Sequence, residues 1–117
     1  MDARPQLARS GEDLAAALYR RAGFEIVSRN HRTRYGELDL IARKGRLLVF
    51  CEVKTRRTDR WGAPAEAVGW DKQRRLRQLA TEWLAQHRPG RVEIRFDVVS
   101  VLVGDGAPEV QHIPAAF

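Results

Sequence analysis

Gly36-Glu37-Leu38-Asp39-Leu40-Ile41-Ala42 is followed, after Arg43-Lys44-Gly45-Arg46, by Leu47-Leu48-Val49-Phe50-Cys51-Glu52-Val53-Lys54-Thr55. Both runs are mostly apolar and of strand length, with turn chemistry between them, so they read as a β-hairpin. Yet Glu37, Asp39, Glu52 and Lys54 interrupt the apolar pattern. Strand side chains alternate faces, so Glu37, Asp39 and Ile41 share one face of the first arm. Leu48, Phe50, Glu52 and Lys54 share one face of the second. With Lys44-Gly45 as a two-residue turn, Arg43 pairs with Arg46, Asp39 lies opposite Phe50, and Glu37 lies opposite Glu52. Asp39 and Glu52 are then diagonal neighbours, their Cα atoms roughly 7–8 Å apart. Both carboxylates could reach one hard divalent cation. A turn one residue longer would send them to opposite faces.

The chain has 117 residues, the size of one domain, and we expect 1–117 to form a single unit with about 1–9 and 104–117 peripheral. Hydrophobic residues make up 44%, which argues against disorder. No run approaches the roughly 18 apolar residues of a membrane span, and the first ten residues carry no secretory-type apolar segment. A cytoplasmic protein without membrane contact is expected. Cys51 is the single cysteine, and His31, His87 and His112 are scattered, so neither an internal disulfide nor a zinc site is expected.

The net charge of +6 favours polyanionic partners. From Lys54 to Arg77 eight bases stand against the acids Asp59, Glu66 and Asp71, so the excess collects just after the hairpin. A solvated basic face would look the same; the adjacent carboxylates favour a binding role.

Around the hairpin, Ser10 reads as the N-cap of a first helix ending near Gly23, with Leu14, Ala15, Leu18 and Ala22 facing the core. Glu12 borders that stripe on the side of Ala16 and Tyr19. Phe24 to Val27 reads as a short strand, and Ser28 to Tyr35 as a polar, basic connection suited to phosphates. Thr55 to Gly69 reads as an ordered loop or short helical turn, with Trp61 as a loop anchor or, alternatively, a stacking platform. A second helix runs from about Asp71 to His87, burying Leu76, Leu79, Ala80, Trp83 and Leu84. Its N-terminal bases Lys72, Arg74 and Arg75 could meet an anion. Val92, Ile94, Phe96 and Val98 alternate with Glu93, Arg95 and Asp97 in a strand reaching Val103, and Val110 to Ile113 is a candidate edge strand. Strand, helix and strand imply a right-handed crossover.

An acid on the first helix, then Asp39, then Glu52-Xaa-Lys54 across a hairpin, resembles the PD-(D/E)XK nuclease superfamily. Within it, the span from Gly11 to about Val101 looks like the bacterial YraN family through GELDLIA, FCEVKTR, the alanine-rich helix and RFDVVSV. Archaeal Holliday junction resolvases are more distantly similar. Leu38 stands where the superfamily's name has proline. The resemblance implies an α/β, restriction-endonuclease-like three-layer fold with a central mixed sheet flanked by helices. It implies Asp39, Glu52 and Lys54 as catalytic residues, and Glu12, Asp39, Glu52 and the Val53 carbonyl as ligands of Mg²⁺ or Mn²⁺. Lys72 or Gln73 occupies the place of an auxiliary polar residue; Glu37 could join as an outer acid, but the superfamily's core pattern does not require it and it is left out of the expected site. Arg32, Arg34, Arg56, Arg57, Lys72 and Gln73 are the candidate contacts to DNA.

The expected activity is metal-dependent hydrolysis of DNA phosphodiesters, with branched or damaged DNA as candidate substrate and a homodimer as candidate assembly. The alternative is a non-catalytic nucleic-acid-binding or interaction module on the same fold. The plainest reading of the charges is a Glu52–Lys54 ion pair with Asp39 exposed, but acids in apolar strands would then be desolvated without return. Cys51 should face away from Glu52, as a core residue.

Overall fold

Two tight turns set the frame of the sheet. In a computed structural model that describes residues 6–57 and 69–117, Arg34-Tyr35 joins β1 (Glu25–Thr33) to β2 (Gly36–Lys44). Gly45-Arg46 joins β2 to β3 (Leu47–Arg57), with Gly45 at φ +60, a left-handed conformation glycine adopts without steric cost. The turn is thus one residue later than Lys44-Gly45. Lys44 pairs with Leu47 and Ile41 with Phe50, a register shifted by two residues from the expected one. Because side chains alternate with period two, a shift of two leaves the expected faces unchanged wherever the strands alternate regularly, as they do where β2 and β3 are paired.

β3 runs parallel to β4 (Glu93–Val103), and β5 (Glu109–Ile113) adds antiparallel to β4, giving a mixed sheet in the order β1-β2-β3-β4-β5. β1 extends through most of the segment read as a basic connection, because Arg29 to Thr33 pair with β2. α1 (Gln6–Arg21) begins before Ser10, which lies inside the helix and is not its cap. α2 (Trp70–His87) is preceded by Gly69 as N-cap and closed by Arg88 in the left-handed region, its N–H bonding the Leu84 carbonyl. Trp61 and most of the Thr55–Gly69 loop reading lie outside the described residues.

Each sheet face has its own core. Leu48, Phe50, Phe96 and Val98 pack with Leu76, Leu79, Ala80 and Trp83 of α2. Val49, Cys51, Val99 and Val101 pack with Ala15, Ala16 and Tyr19 of α1. The chain therefore forms three layers, with one helix over each face. The α1 face is turned from the leucine stripe toward Gly11, Glu12, Ala15, Ala16 and Tyr19, all buried, while Leu14 and Leu18 are half-buried. Small residues allow this approach: a methyl group on Gly11 would overlap the Thr55 hydroxyl on β3.

Asp97 does not point outward as the alternation implied; it is fully buried. Its carboxylate accepts bonds from Tyr19 Oη (2.6 Å), Arg95 Nε and Nη2 (2.8 and 2.9 Å) and the Ala115 N–H (3.0 Å), and lies 2.8 Å from His112 Nε2. Burial alone would raise its pKa, but these partners outweigh it and hold the carboxyl below its ordinary value. One carboxylate thereby links α1, β4, β5 and the C-terminal segment. Phe117 stacks on Phe96 at 5.1 Å between ring centroids.

The contact between Gly11 and Thr55 gives a direct test. Gly11→Ala should lower stability by about 1–3 kcal/mol through overpacking, against a gain in helix propensity of about 1 kcal/mol. Adding Thr55→Ala removes the clash, so denaturant unfolding of the double variant should recover most of the loss.

Candidate functional site

β2 and β3 stay paired only from Lys44↔Leu47 to Leu40↔Cys51. Beyond that point β2 continues beside β1 through Gly36, and β3 continues beside β4 through Arg57, so the sheet forks between them. Strand edges at a fork leave backbone groups without ladder partners. Asp39 supplies one: its Oδ2 accepts the Val53 N–H at 2.9 Å, a side chain standing in for a strand carbonyl. Leu38 meanwhile packs in the α2 core although Leu40 packs in the α1 core, so β2 leaves the regular alternation at Asp39.

The fork opens into a cleft of about 560 Å³. Glu12 enters it from α1, Glu37 and Asp39 from β2, Glu52 and Val53 from β3, and Lys72 and Arg75 from α2, with Arg32 at the side of β1. Carboxylate oxygens of Glu12, Glu37 and Asp39 all lie within 4.8 Å of one another. Glu52, almost fully buried, pairs with Lys72 Nζ at 2.5 Å, and Glu37 pairs with Arg32 Nε at 3.4 Å.

The sequence-derived site residues are thus only partly assembled together. Glu12, Asp39, Glu52, Val53, Arg32 and Lys72 line the cleft. Lys54 is half-buried and lies outside its lining, as do Arg34, Arg56, Arg57 and Gln73. Glu37, left out of the expected site, belongs to the converging trio; its spacing of two from Asp39 on one strand was the available signal. Arg75, read from the sequence as one of the α2 N-terminal bases that could meet an anion, lines the cleft beside Gly36. At φ +151, Gly36 occupies a region that favours glycine, and a Cβ there would come within 3.3 Å of the Arg75 side chain. Cys51 is buried in the α1 core, as expected, and burial pushes its thiol pKa far up, so it is no nucleophile.

The electrostatics of the trio are unbalanced. Burial, then the charge of Glu52 and more weakly that of Glu37, push the Asp39 pKa up to about 7, against the opposing Val53 N–H and Lys72. A carboxyl held in this way gains from any cation brought close to it. The donors are all carboxylate oxygens, a set that could hold a hard divalent cation.

The family model for "Uncharacterised protein family UPF0102" matches residues 11–101. A UPF0102 protein of Rhodococcus opacus (strain B4) is 54% identical over 108 residues, covering 92% of each chain. One of Anaeromyxobacter dehalogenans (strain 2CP-C) is 52% identical over 116 residues, covering 99% of this chain and 87% of the relative. One of Frankia casuarinae is 48% identical over 118 residues and matches end to end. The matched span runs from Gly11, where α1 meets β3, to Val101 in β4, and includes every residue lining the cleft except Ala8.

The raised Asp39 pKa fixes the sign of a pH effect. Between the ordinary carboxyl range and about 7, the folded chain holds a proton at Asp39 that the unfolded chain releases. Without divalent cations, this group's contribution to stability therefore falls as pH rises through that window and levels off above it. Asp39→Asn lacks the titration, so its stability relative to the parent chain should climb from pH 4 to pH 7 in paired chemical denaturations and then stay constant.

Proposed function

The chain belongs to the uncharacterised family UPF0102, and from the cleft at its forked sheet we propose that it is a divalent-cation-dependent endodeoxyribonuclease of the PD-(D/E)XK kind, with a restriction-endonuclease-like fold. The observation that carries this reading is the convergence of Glu12, Glu37 and Asp39 from two elements, with Lys72, Arg75 and Arg32 lining the same cleft. Acids that gather a cation and bases that gather an anion meet in one space, as phosphodiester hydrolysis requires.

Glu12, Glu37 and Asp39 would hold Mg²⁺ or Mn²⁺. Bound there, the cation supplies Lewis-acid polarisation of a phosphate oxygen and a water of lowered pKa. The chain's own groups do the rest. Asp39 is fixed by the Val53 N–H, so its free lone pairs keep one direction. Glu52 holds Lys72 in the cleft, placing an ammonium where a nonbridging phosphate oxygen would need neutralising. Arg75 adds a second cation from the next turn of α2. Lys54 follows Glu52 on the same strand face outside the cleft's lining, so Lys72 is the lysine this geometry favours for contact with the phosphate.

Cation binding and cleavage are separately measurable. Mg²⁺ or Mn²⁺ at about a hundred times its Kd would add about 2.7 kcal/mol of stability, read as a rise in Tm at pH 8. The rise should shrink by pH 6, because a proton competes at Asp39, and vanish in Asp39→Ala. On branched, single-stranded and duplex DNA, Asp39→Ala should abolish cation-dependent cleavage. Lys72→Ala should lower it about 10- to 100-fold, the value of one lost charge-assisted hydrogen bond, and more than Lys54→Ala does. DNA binding that survives these substitutions, with no cation-dependent cleavage of any substrate, would establish a binding module instead.

A further inference from the structure

The carboxylate cleft has a neighbour. A second groove of about 530 Å³ lies between the β1–β2 turn and α2, lined by Tyr35, Asp71, Arg74, Arg75, Arg77 and Gln78. Arg75 lines both spaces, and Tyr35 directly precedes Gly36 of the cleft's lining, so the two openings adjoin. The groove holds three arginines against one acid. Arg77 lies over the Phe96 and Phe117 rings at 4.9 and 5.5 Å, which pins it, whereas Arg74 and Arg75 are exposed and enter no ion pair among the described residues.

Tyr35 is the unusual feature. It sits in a two-residue turn, 51% exposed, where a polar residue would serve the turn equally well. The turn is nevertheless well fixed: the Tyr35 N–H donates to Thr33 Oγ1 at 3.0 Å, and Thr33 Oγ1 donates to the Gly36 carbonyl at 3.3 Å. Arg34 lies 4.9 Å from the ring centroid and donates to the Tyr35 hydroxyl at 2.7 Å, orienting the ring. The result is an ordered aromatic surface held in solvent beside free guanidinium groups. Trp70, 71% exposed, lies four residues before Arg74 and so extends the same helix face.

We propose that this groove binds an unpaired DNA strand, with a base stacked on Tyr35 and its phosphates on Arg74 and Arg75. The inference rests on the nuclease reading for its direction, since Arg75 would pass the strand from the groove to the carboxylates. The exposed ring selects a single strand over a duplex. A ring can stack only on a base whose face is free, and a duplex buries those faces in its own stack. The site therefore takes DNA that exposes unpaired nucleotides next to the bond to be cut, as flaps, gaps and branch points do.

The test measures binding in chelator, where no cleavage can occur. Fluorescence anisotropy of the full chain with a labelled short oligothymidylate and with a blunt duplex of equal length gives the two affinities, and circular dichroism confirms that each variant is folded. Tyr35→Ala should weaken binding of the single strand about tenfold, within the range for one lost base stack, and leave duplex affinity within about twofold. Tyr35→Trp should retain tight binding, and Arg74→Ala should weaken single-strand binding with a shallower salt dependence. The proposal is overturned if Tyr35→Ala leaves single-strand affinity unchanged or lowers both affinities equally. The parent chain assayed for cleavage in Mg²⁺ or Mn²⁺ separates the two readings: strand binding that depends on Tyr35, in a parent chain that cleaves no DNA when the cation is supplied, upholds the groove and rejects the nuclease.

Discussion

The parting of β2 and β3 after Leu40↔Cys51 is the constraint on which the rest of the structure depends. A sheet that stayed paired there would bury Asp39 and Glu52 side by side against a continuous ladder, with no space for solvent or ligand. By separating while each keeps its other neighbour, the two strands open a cleft without losing their anchorage. The cost of an interrupted ladder is reduced at one point by Asp39, which accepts the Val53 N–H. The residue proposed to hold a cation is thus also the residue that keeps the fork at a fixed width. Its two roles use different lone pairs of one carboxylate.

Two carboxylates in this chain, Asp97 and Asp39, are held in opposite ways. Asp97 is surrounded by donors and held below the ordinary carboxyl pKa, the condition of an acid whose charge stabilises the fold at neutral pH. Asp39 has one donor and two acidic neighbours, and is held well above that range. Asp97 is fully buried and Asp39 half-buried at the cleft, so the more buried carboxyl is the one held low; their partners set the difference. A fold can keep an under-compensated carboxyl cluster, but the cluster lowers stability at neutral pH unless a cation enters it. The asymmetry marks the fork as the place where stability is given up.

Much of this was legible in the sequence, and the parts that were not share a physical reason. Alternation in Gly36–Ala42 and Leu47–Thr55 located the hairpin and the faces of Asp39 and Glu52, because period-two patterning is local. The register was displaced by two, since glycine fits either position of a short turn and both Lys44-Gly45 and Gly45-Arg46 satisfy the same local rules. The faces from Leu40 to Lys44 are unchanged because two is the period of the strand, whereas Leu38, beyond the fork, packs on the opposite face from Leu40. Asp97 was misplaced because its burial depends on Tyr19, His112 and Ala115, partners up to 78 residues away that no local pattern reveals. The start of α1 was set too late for a different reason: Ser10 and Gly11 look like a boundary, yet Gly11 is there to bring the helix against Thr55.

That close approach also explains why Glu12, and not another acid of α1, reaches the site. One residue after Gly11 the helix is nearest to β3, and Glu12 is buried while Asp13, one step further round, is exposed and pairs with Arg29 at 2.6 Å. A helix held farther from the sheet by a larger residue at position 11 would carry the Glu12 carboxylate away from Glu37 and Asp39. Glycines stand on both sides of the cleft. Gly11 admits α1 against β3, and at Gly36 an added Cβ would press on the Leu79 and Arg75 side chains of α2 at 3.2 and 3.3 Å. The acids and the bases of the site thus meet across a gap bordered by two positions without a side chain, the first of which fixes how near α1 can lie.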